Sequence, residues 1–130
     1  MADSLHLETT IPATAKQVYE AWMDSRKHAD FTGDTADIQP EVGGSFTIGS
    51  GYITGQNIEL EPYQRIVQDW RTTEFPDLAP DSWLEVILQD TPNGCSLTLT
   101  QEKLPEDQVE SYRSGWQEYY FEPLKEYFSK

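Results

Sequence analysis

Leu5, Leu7, Thr9 and Ile11 alternate with His6, Glu8 and Thr10. A period of two places alternate side chains on opposite faces of an extended chain, so this stretch predicts a half-buried strand, which Pro12 ends. Thr14-Ala15-Lys16-Gln17 has the spacing of a capping box, in which the Thr14 hydroxyl and the Gln17 amide satisfy each other's free backbone N–H groups. The helix it opens carries Val18, Ala21 and Trp22 on one face. Asp24-Ser25 caps a second short helix through His28 and Ala29, which runs out before Gly33. The two helices are expected to span residues 14–32.

From residue 36 the period returns to two. Gly43-Gly44 precedes Phe46 and Ile48, and the turn Gly49-Ser50-Gly51 leads into Tyr52 and Ile53. Gly55 inside that run predicts a bulge or a close backbone approach. Ile58 and Leu60 continue the alternation to Glu61-Pro62-Tyr63-Gln64, a turn with proline in its second position. Ile66-Val67-Gln68-Asp69-Trp70-Arg71 is the next strand, and a loop with Pro76 and Pro80 leads to another over Trp83 to Gln89. Asp90-Thr91-Pro92-Asn93-Gly94 predicts a hairpin whose Asn-Gly pair takes the positive dihedrals of a tight turn. Leu97 and Leu99 alternate with Ser96, Thr98 and Thr100 in the returning strand.

Pro105 suits the first turn of a final helix, with Glu106 and Asp107 at its positive end. Val109, Tyr112, Trp116, Tyr119, Tyr120, Leu124, Tyr127 and Phe128 follow at three- and four-residue spacing and form one broad aromatic stripe. Pro123 within the stripe should kink the helix or delay its last turns. Gly115 is expected to let helix and sheet approach closely beside Trp116. The stripe is buried best by an α+β, helix-grip fold. In it a curved antiparallel sheet of about six or seven strands wraps around the long C-terminal helix, and two short helices follow the first strand.

The length of 130 residues fits one domain over residues 1–130. Nine Lys and Arg against 23 Asp and Glu give a formal charge of −14. That excludes a nucleic-acid binder, whose phosphate contacts need clustered cations, and disfavours an anionic membrane as a partner. Cys95 is the sole cysteine, so no internal disulfide forms. Its neighbours supply no cation, so an inert core or turn residue is expected rather than a reactive thiolate. Met1-Ala2-Asp3-Ser4 lacks the basic-then-apolar run of a signal peptide, and no stretch approaches the roughly 20 apolar residues that cross a bilayer. A cytoplasmic protein is expected.

Val42-Gly43-Gly44-Ser45-Phe46, Glu61-Pro62 and Ile66 to Arg71 resemble the activator of heat-shock protein 90 ATPase C-terminal-domain family, of the START/Bet v 1-like superfamily. Ile11-Pro12-Ala13-Thr14 with Val18-Tyr19 and Trp22 fits the same pattern, and Gly115 to Glu122 resembles the eukaryotic co-chaperone's C-terminal domain. The resemblance implies a helix-grip fold with a cavity between sheet and long helix, used to hold apolar ligands or to bind proteins. The eukaryotic activator carries a further N-terminal domain. With a first strand near Ser4, that domain is expected to be missing here.

Two roles are open to the aromatic stripe. Its residues either fill the core or line a cavity, because Tyr and Trp offer wide apolar faces with a donor that can orient a polar ligand end. The cavity candidates are Trp22 and Phe31 from the short helices, Phe46, Trp70 and Trp83 from the sheet, and Tyr112, Trp116, Tyr120 and Leu124 from the last helix.

Catalytic chemistry is thinly provided. His6 and His28 lack partners at metal-ligand spacing and read as solvated residues, His28 because Arg26 and Lys27 flank it. Neither a metal nor a cofactor is expected, and the glycine pairs open no helix and so form no phosphate cradle. Arg65, Arg71 and Arg113 are expected to pair with surface carboxylates. The first reading is therefore a non-enzymatic protein that binds a small, largely apolar ligand between sheet and helix. The second is a co-chaperone-like module that binds heat-shock protein 90 and modulates its ATPase. A hydrolase or cyclase of the superfamily ranks third.

Overall fold

Among the described residues, every strand pairs antiparallel with its neighbours in one seven-stranded sheet. The computed structural model describes residues 2–129. The strands are β1 (Ala2–Ile11), β2 (Ala36–Ile38), β3 (Ser45–Ile48), β4 (Ile53–Glu61), β5 (Arg65–Thr72), β6 (Ser82–Thr91) and β7 (Gly94–Pro105). Their order is β1-β7-β6-β5-β4-β3-β2, so each strand from β2 to β7 lies beside its neighbour in sequence and β1 closes onto β7. Helices α1 (Ala15–Met23) and α2 (Ser25–Thr32) follow β1, and the capping box of Thr14 and Gln17 is formed. This is the α+β helix-grip architecture, with the curved sheet holding the C-terminal helix.

Alternation decides which face is buried. Leu84, Val86, Leu97 and Leu99 point inward and are fully buried, as are the inward Ser82 and Gln101. Ile66, Gln68, Trp70 and Thr72 extend this inner face along β5. Register shifts between Asn57 and Glu59 in β4 and between Asp3 and Leu5 in β1 mark bulges, which bend a sheet where they occur. Gly55 is a close approach instead. A Cβ there would lie 1.9 Å from the Asp69 carbonyl oxygen and 2.6 Å from the Phe46 ring.

The last helix begins with a 3-10 turn (Glu106–Gln108), runs as α3 (Val109–Trp116) through a π-helical turn (Gln117–Phe121), and ends as α4 (Glu122–Phe128). Pro123 has no N–H to offer the preceding turn. The wider turn adapts to it, with the Glu122 N–H reaching back five residues to the Gln117 carbonyl. The aromatic stripe therefore continues past the proline.

Two local expectations are corrected. The β6–β7 hairpin places Pro92 and Asn93 at its tip rather than an Asn-Gly pair, because Thr91 and Gly94 are already cross-strand partners. Gly94, at φ 139°, is needed because a Cβ there would come 2.2 Å from the Ile11 carbonyl oxygen. Gly115 makes no close approach to the sheet, since a Cβ there would meet only the Tyr119 ring, at 3.9 Å. Among the described residues, no helix is long and apolar enough to cross a membrane.

Candidate functional site

The last helix packs on the inner face of the sheet and leaves a gap over β3–β5. Ile48, Ile53 and Trp70 project from those strands into this gap, and Tyr112, Trp116 and Tyr120 face them from the helix. The result is a cavity of about 410 Å³, within the roughly 300–1,000 Å³ usual for small-molecule sites. Trp70, Tyr112, Trp116 and Tyr120 are all at most 7% exposed and form its floor. Its mouth is lined by Tyr52, Tyr119, Asp34 and Ser111, which reach solvent, with Gly115 and Thr32 between them. The lining contains no Lys, Arg or His.

The floor is rigid because its rings lock one another. The Trp116 indole lies 5.5 Å from Trp70 and stacks on Trp22 at 6.0 Å, while Tyr120 meets it edge-on at 4.8 Å. Such edge and offset contacts between aromatic faces add to the area they bury. The Trp116 indole N–H donates to Gln101 Oε1 at 2.8 Å, and the Gln101 amide donates to Ser82 Oγ, which donates in turn to the Trp70 carbonyl. This chain fixes the Trp116 indole and ties it to the Trp70 backbone, and among the described residues no buried side-chain N or O lacks a partner.

A second network braces the mouth. The Thr72 hydroxyl accepts from the Glu74 N–H and donates to the Tyr112 hydroxyl, 2.6 Å away. Tyr112 donates to Gln108 Oε1, and the Gln108 amide returns to the Glu74 carbonyl, closing a ring. Tyr52 donates to the Glu74 carboxylate at 2.7 Å. Burial, followed by that bond, pushes its hydroxyl pKa up to about 12. Burial also raises Tyr112 and Tyr120, so all three phenols stay protonated and act as donors rather than bases.

His28 corrects an expectation. It is 2% exposed, not solvated. Three residues before Phe31, it lies on the inward face of α2, while Arg26 and Lys27 face out. The Trp22 carbonyl can only accept, so Nδ1 carries the proton and donates to it at 2.8 Å. Nε2 then accepts from the Tyr120 hydroxyl, also at 2.8 Å. Burial lowers the imidazole pKa to about 4, so the ring is neutral and serves to orient Tyr120.

The remaining candidates take other positions. Trp22 and Phe46 border a separate void of about 10 Å³, too small for more than a single water. Phe31 packs against His28, Tyr120 and Tyr127, and Leu124 is fully buried in the core. Trp83 is on the wrong face: it stands opposite Asp69 and Glu102 on the outer side of the sheet, because the inward positions of β6 are Ser82, Leu84, Val86 and Leu88. Tyr52 and Asp34 are lining residues that sequence reasoning missed, and no local pattern marked them; Tyr119, which also lines the mouth, belongs to the aromatic stripe at helical spacing.

Three of the four arginines are paired at the surface. Arg65 joins Glu59, Glu61 and Glu85, Arg71 joins Asp81, and Arg113 joins Glu110. Cys95 is buried, and its thiol pKa is raised by that burial. Among the described residues, no group of three or more His, Cys, Asp or Glu side chains could hold a metal ion.

Comparison with known proteins finds that the family described as "Activator of Hsp90 ATPase homolog 1-like protein" matches residues 12–129. A Homo sapiens protein named activator of 90 kDa heat shock protein ATPase homolog 1 is 26% identical over 122 residues, covering 94% of this chain and 36% of that protein. The chain thus spans about a third of the length of the curated relatives it matches. Among solved structures, an HSP90 activator from Plasmodium falciparum superposes with a TM-score of 0.83 at 20% identity, covering 99% of this chain and 96% of that one. A protein from Mesorhizobium loti superposes with a TM-score of 0.80 at 21% identity, covering 95% of each chain.

Proposed function

This chain belongs to the activator of Hsp90 ATPase homolog 1-like family, and from that premise we propose that residues 1–130 act as one non-enzymatic domain that binds a small, largely apolar ligand. The observation that carries the reading is the cavity of about 410 Å³ between β3–β5 and the last helix, with its rigid aromatic floor. A ligand there would leave water for apolar surface, at roughly 0.8 kcal/mol for each methylene buried. The floor rings are held by the Gln101 and His28 networks before any ligand arrives, so little side-chain ordering would oppose binding. The lining holds no His, Lys or Cys to activate its Ser111 or Thr32 hydroxyl, burial keeps the Tyr52, Tyr112 and Tyr120 phenols protonated, and its one carboxylate stands at the mouth.

Titration with the uncharged dye Nile red tests this. Saturable quenching of tryptophan emission and a melting temperature that climbs with dye concentration support the reading, because a ligand of the native state stabilises it by mass action. A linear, unsaturable response with an unchanged melting temperature would refute it.

A second reading is supported by the curated relatives, which are named as activators of a 90 kDa heat shock protein ATPase. Under it the chain binds such a chaperone and changes its ATP turnover. Steady-state ATP hydrolysis by the cognate chaperone, with and without saturating protein, tests this: an unchanged rate and no binding heat would rule it out.

A further inference from the structure

The cavity's charge arrangement narrows the ligand. Six of its lining side chains are aromatic, Tyr52, Trp70, Tyr112, Trp116, Tyr119 and Tyr120, and no cationic side chain lies among them. A carboxylate, Asp34, stands at the mouth. Its Oδ1 accepts from the Thr35 N–H at 2.8 Å, which holds the group in place. A second carboxylate, Glu74, is fastened to the rim by Tyr52. Helix α2 ends at Thr32, another lining residue, so the negative end of its dipole is also at this mouth. The whole molecule adds a field of the same sign, with a formal charge of −14.

Aromatic faces attract cations through their quadrupoles, most strongly where water is excluded, and Trp is the best of them. Donation by the Tyr52 hydroxyl to a carboxylate leaves that ring richer in electrons and improves it as a cation acceptor. An anionic ligand would instead enter past the Asp34 carboxylate with no countercharge in the lining, a combination that buried sites avoid.

Resting on the ligand-binding reading above, we propose that the cavity selects an organic cation, an apolar amine or quaternary ammonium compound, with its charged head beside Asp34 and its apolar body on the Trp70–Trp116 floor. Phenyltrimethylammonium, its uncharged carbon isostere tert-butylbenzene, and benzenesulfonate share a ring and differ in charge. Isothermal titration at low salt should find the cation bound at least about ten-fold more tightly than the isostere, with no measurable binding of the sulfonate. Asp34→Asn keeps the acceptor for the Thr35 N–H. It should weaken the cation several-fold and leave tert-butylbenzene unchanged, which mere accumulation of cations around an acidic protein would not do. Equal binding of cation and isostere would overturn charge selection while leaving the apolar site standing. An unaltered cation affinity in Asp34→Asn would also overturn it. Binding of none of the three would overturn both the inference and the reading beneath it.

Discussion

Gly115 offers a perturbation whose effects on stability and on binding run in opposite directions. It lies within the continuous C-terminal helix, where glycine is disfavoured relative to alanine by roughly 0.8–1.0 kcal/mol because it loses more backbone freedom on folding. Its φ is not positive, and a Cβ there meets nothing nearer than Tyr119 Cδ2 at 3.9 Å, an ordinary contact. Gly115→Ala should therefore stabilise the fold by about 0.8–1 kcal/mol, a rise of about 3–5 °C in melting temperature for a chain of this size. Because Gly115 lines the cavity, larger side chains occupy ligand space. Gly115→Leu should keep the stability near or above that of the parent and weaken Nile red at least about ten-fold. Urea denaturation and dye titration on the same three proteins give both quantities. Loss of more than about 0.5 kcal/mol in Gly115→Ala, or unchanged dye binding in Gly115→Leu, would show that the glycine serves helix–sheet packing and not the cavity.

Gly55→Ala should behave in the opposite way, costing at least about 2 kcal/mol in urea denaturation, because its Cβ would overlap the Asp69 carbonyl oxygen and the Phe46 ring. Trp116→Phe strands the buried Gln101 Oε1 and should cost about 2–4 kcal/mol, of which about 1 kcal/mol returns when Gln101→Met is added. Additivity of the two single changes in a denaturation cycle would refute that coupling. His28 binds a proton near pH 6.5 when unfolded but only near pH 4 when folded, so the unfolded state holds more protons between those values. Its contribution is complete above pH 6.5 and is lost as the pH falls toward 4, by up to about 3 kcal/mol. His28→Gln should flatten the stability profile in that window, and an unchanged slope would place the loss elsewhere. Trp83→Phe should leave the dye-induced emission change intact, while Trp70→Phe should remove much of it; the reverse result would put the ligand on the outer face of the sheet.

The strands and helices were legible because period-two alternation, the Thr14–Gln17 capping box and the Pro62 turn each act over a few residues. That turn forms with Tyr63 at φ 68° and the Gln64 N–H bonded to the Glu61 carbonyl. The floor of the cavity was partly legible, since Tyr112, Trp116 and Tyr120 sit at helical spacing and Trp70 lies in an alternating strand. Trp83 enters the cavity set for its aromatic character, against the pattern around it. Alternation groups it with Glu85, Ile87 and Gln89, opposite the buried Leu84, Val86 and Leu88, and so sets it on the outer face beside Asp69 and Glu102. His28 was readable in part: its three-residue spacing from Phe31 marks the inward face of α2, but the adjacent Arg26 and Lys27 masked it. Asp34 and Tyr52 were not readable, because only the pairing of β2 with β3 and of β3 with β4 carries their two loops to one rim.

Isoleucine methyl groups report the central claim most directly, because they sample the cavity and the outer surface in one spectrum. Ile48 and Ile53 line the cavity, whereas Ile58 and Ile87 are exposed at 41% and 39%. Titration of methyl-labelled protein with tert-butylbenzene should move the Ile48 and Ile53 signals together and to saturation, while those of Ile58 and Ile87 stay fixed. Saturating shifts at Ile58 or Ile87 with none at Ile48 and Ile53, or no saturable shift at any of them, would contradict a ligand site between β3–β5 and the last helix.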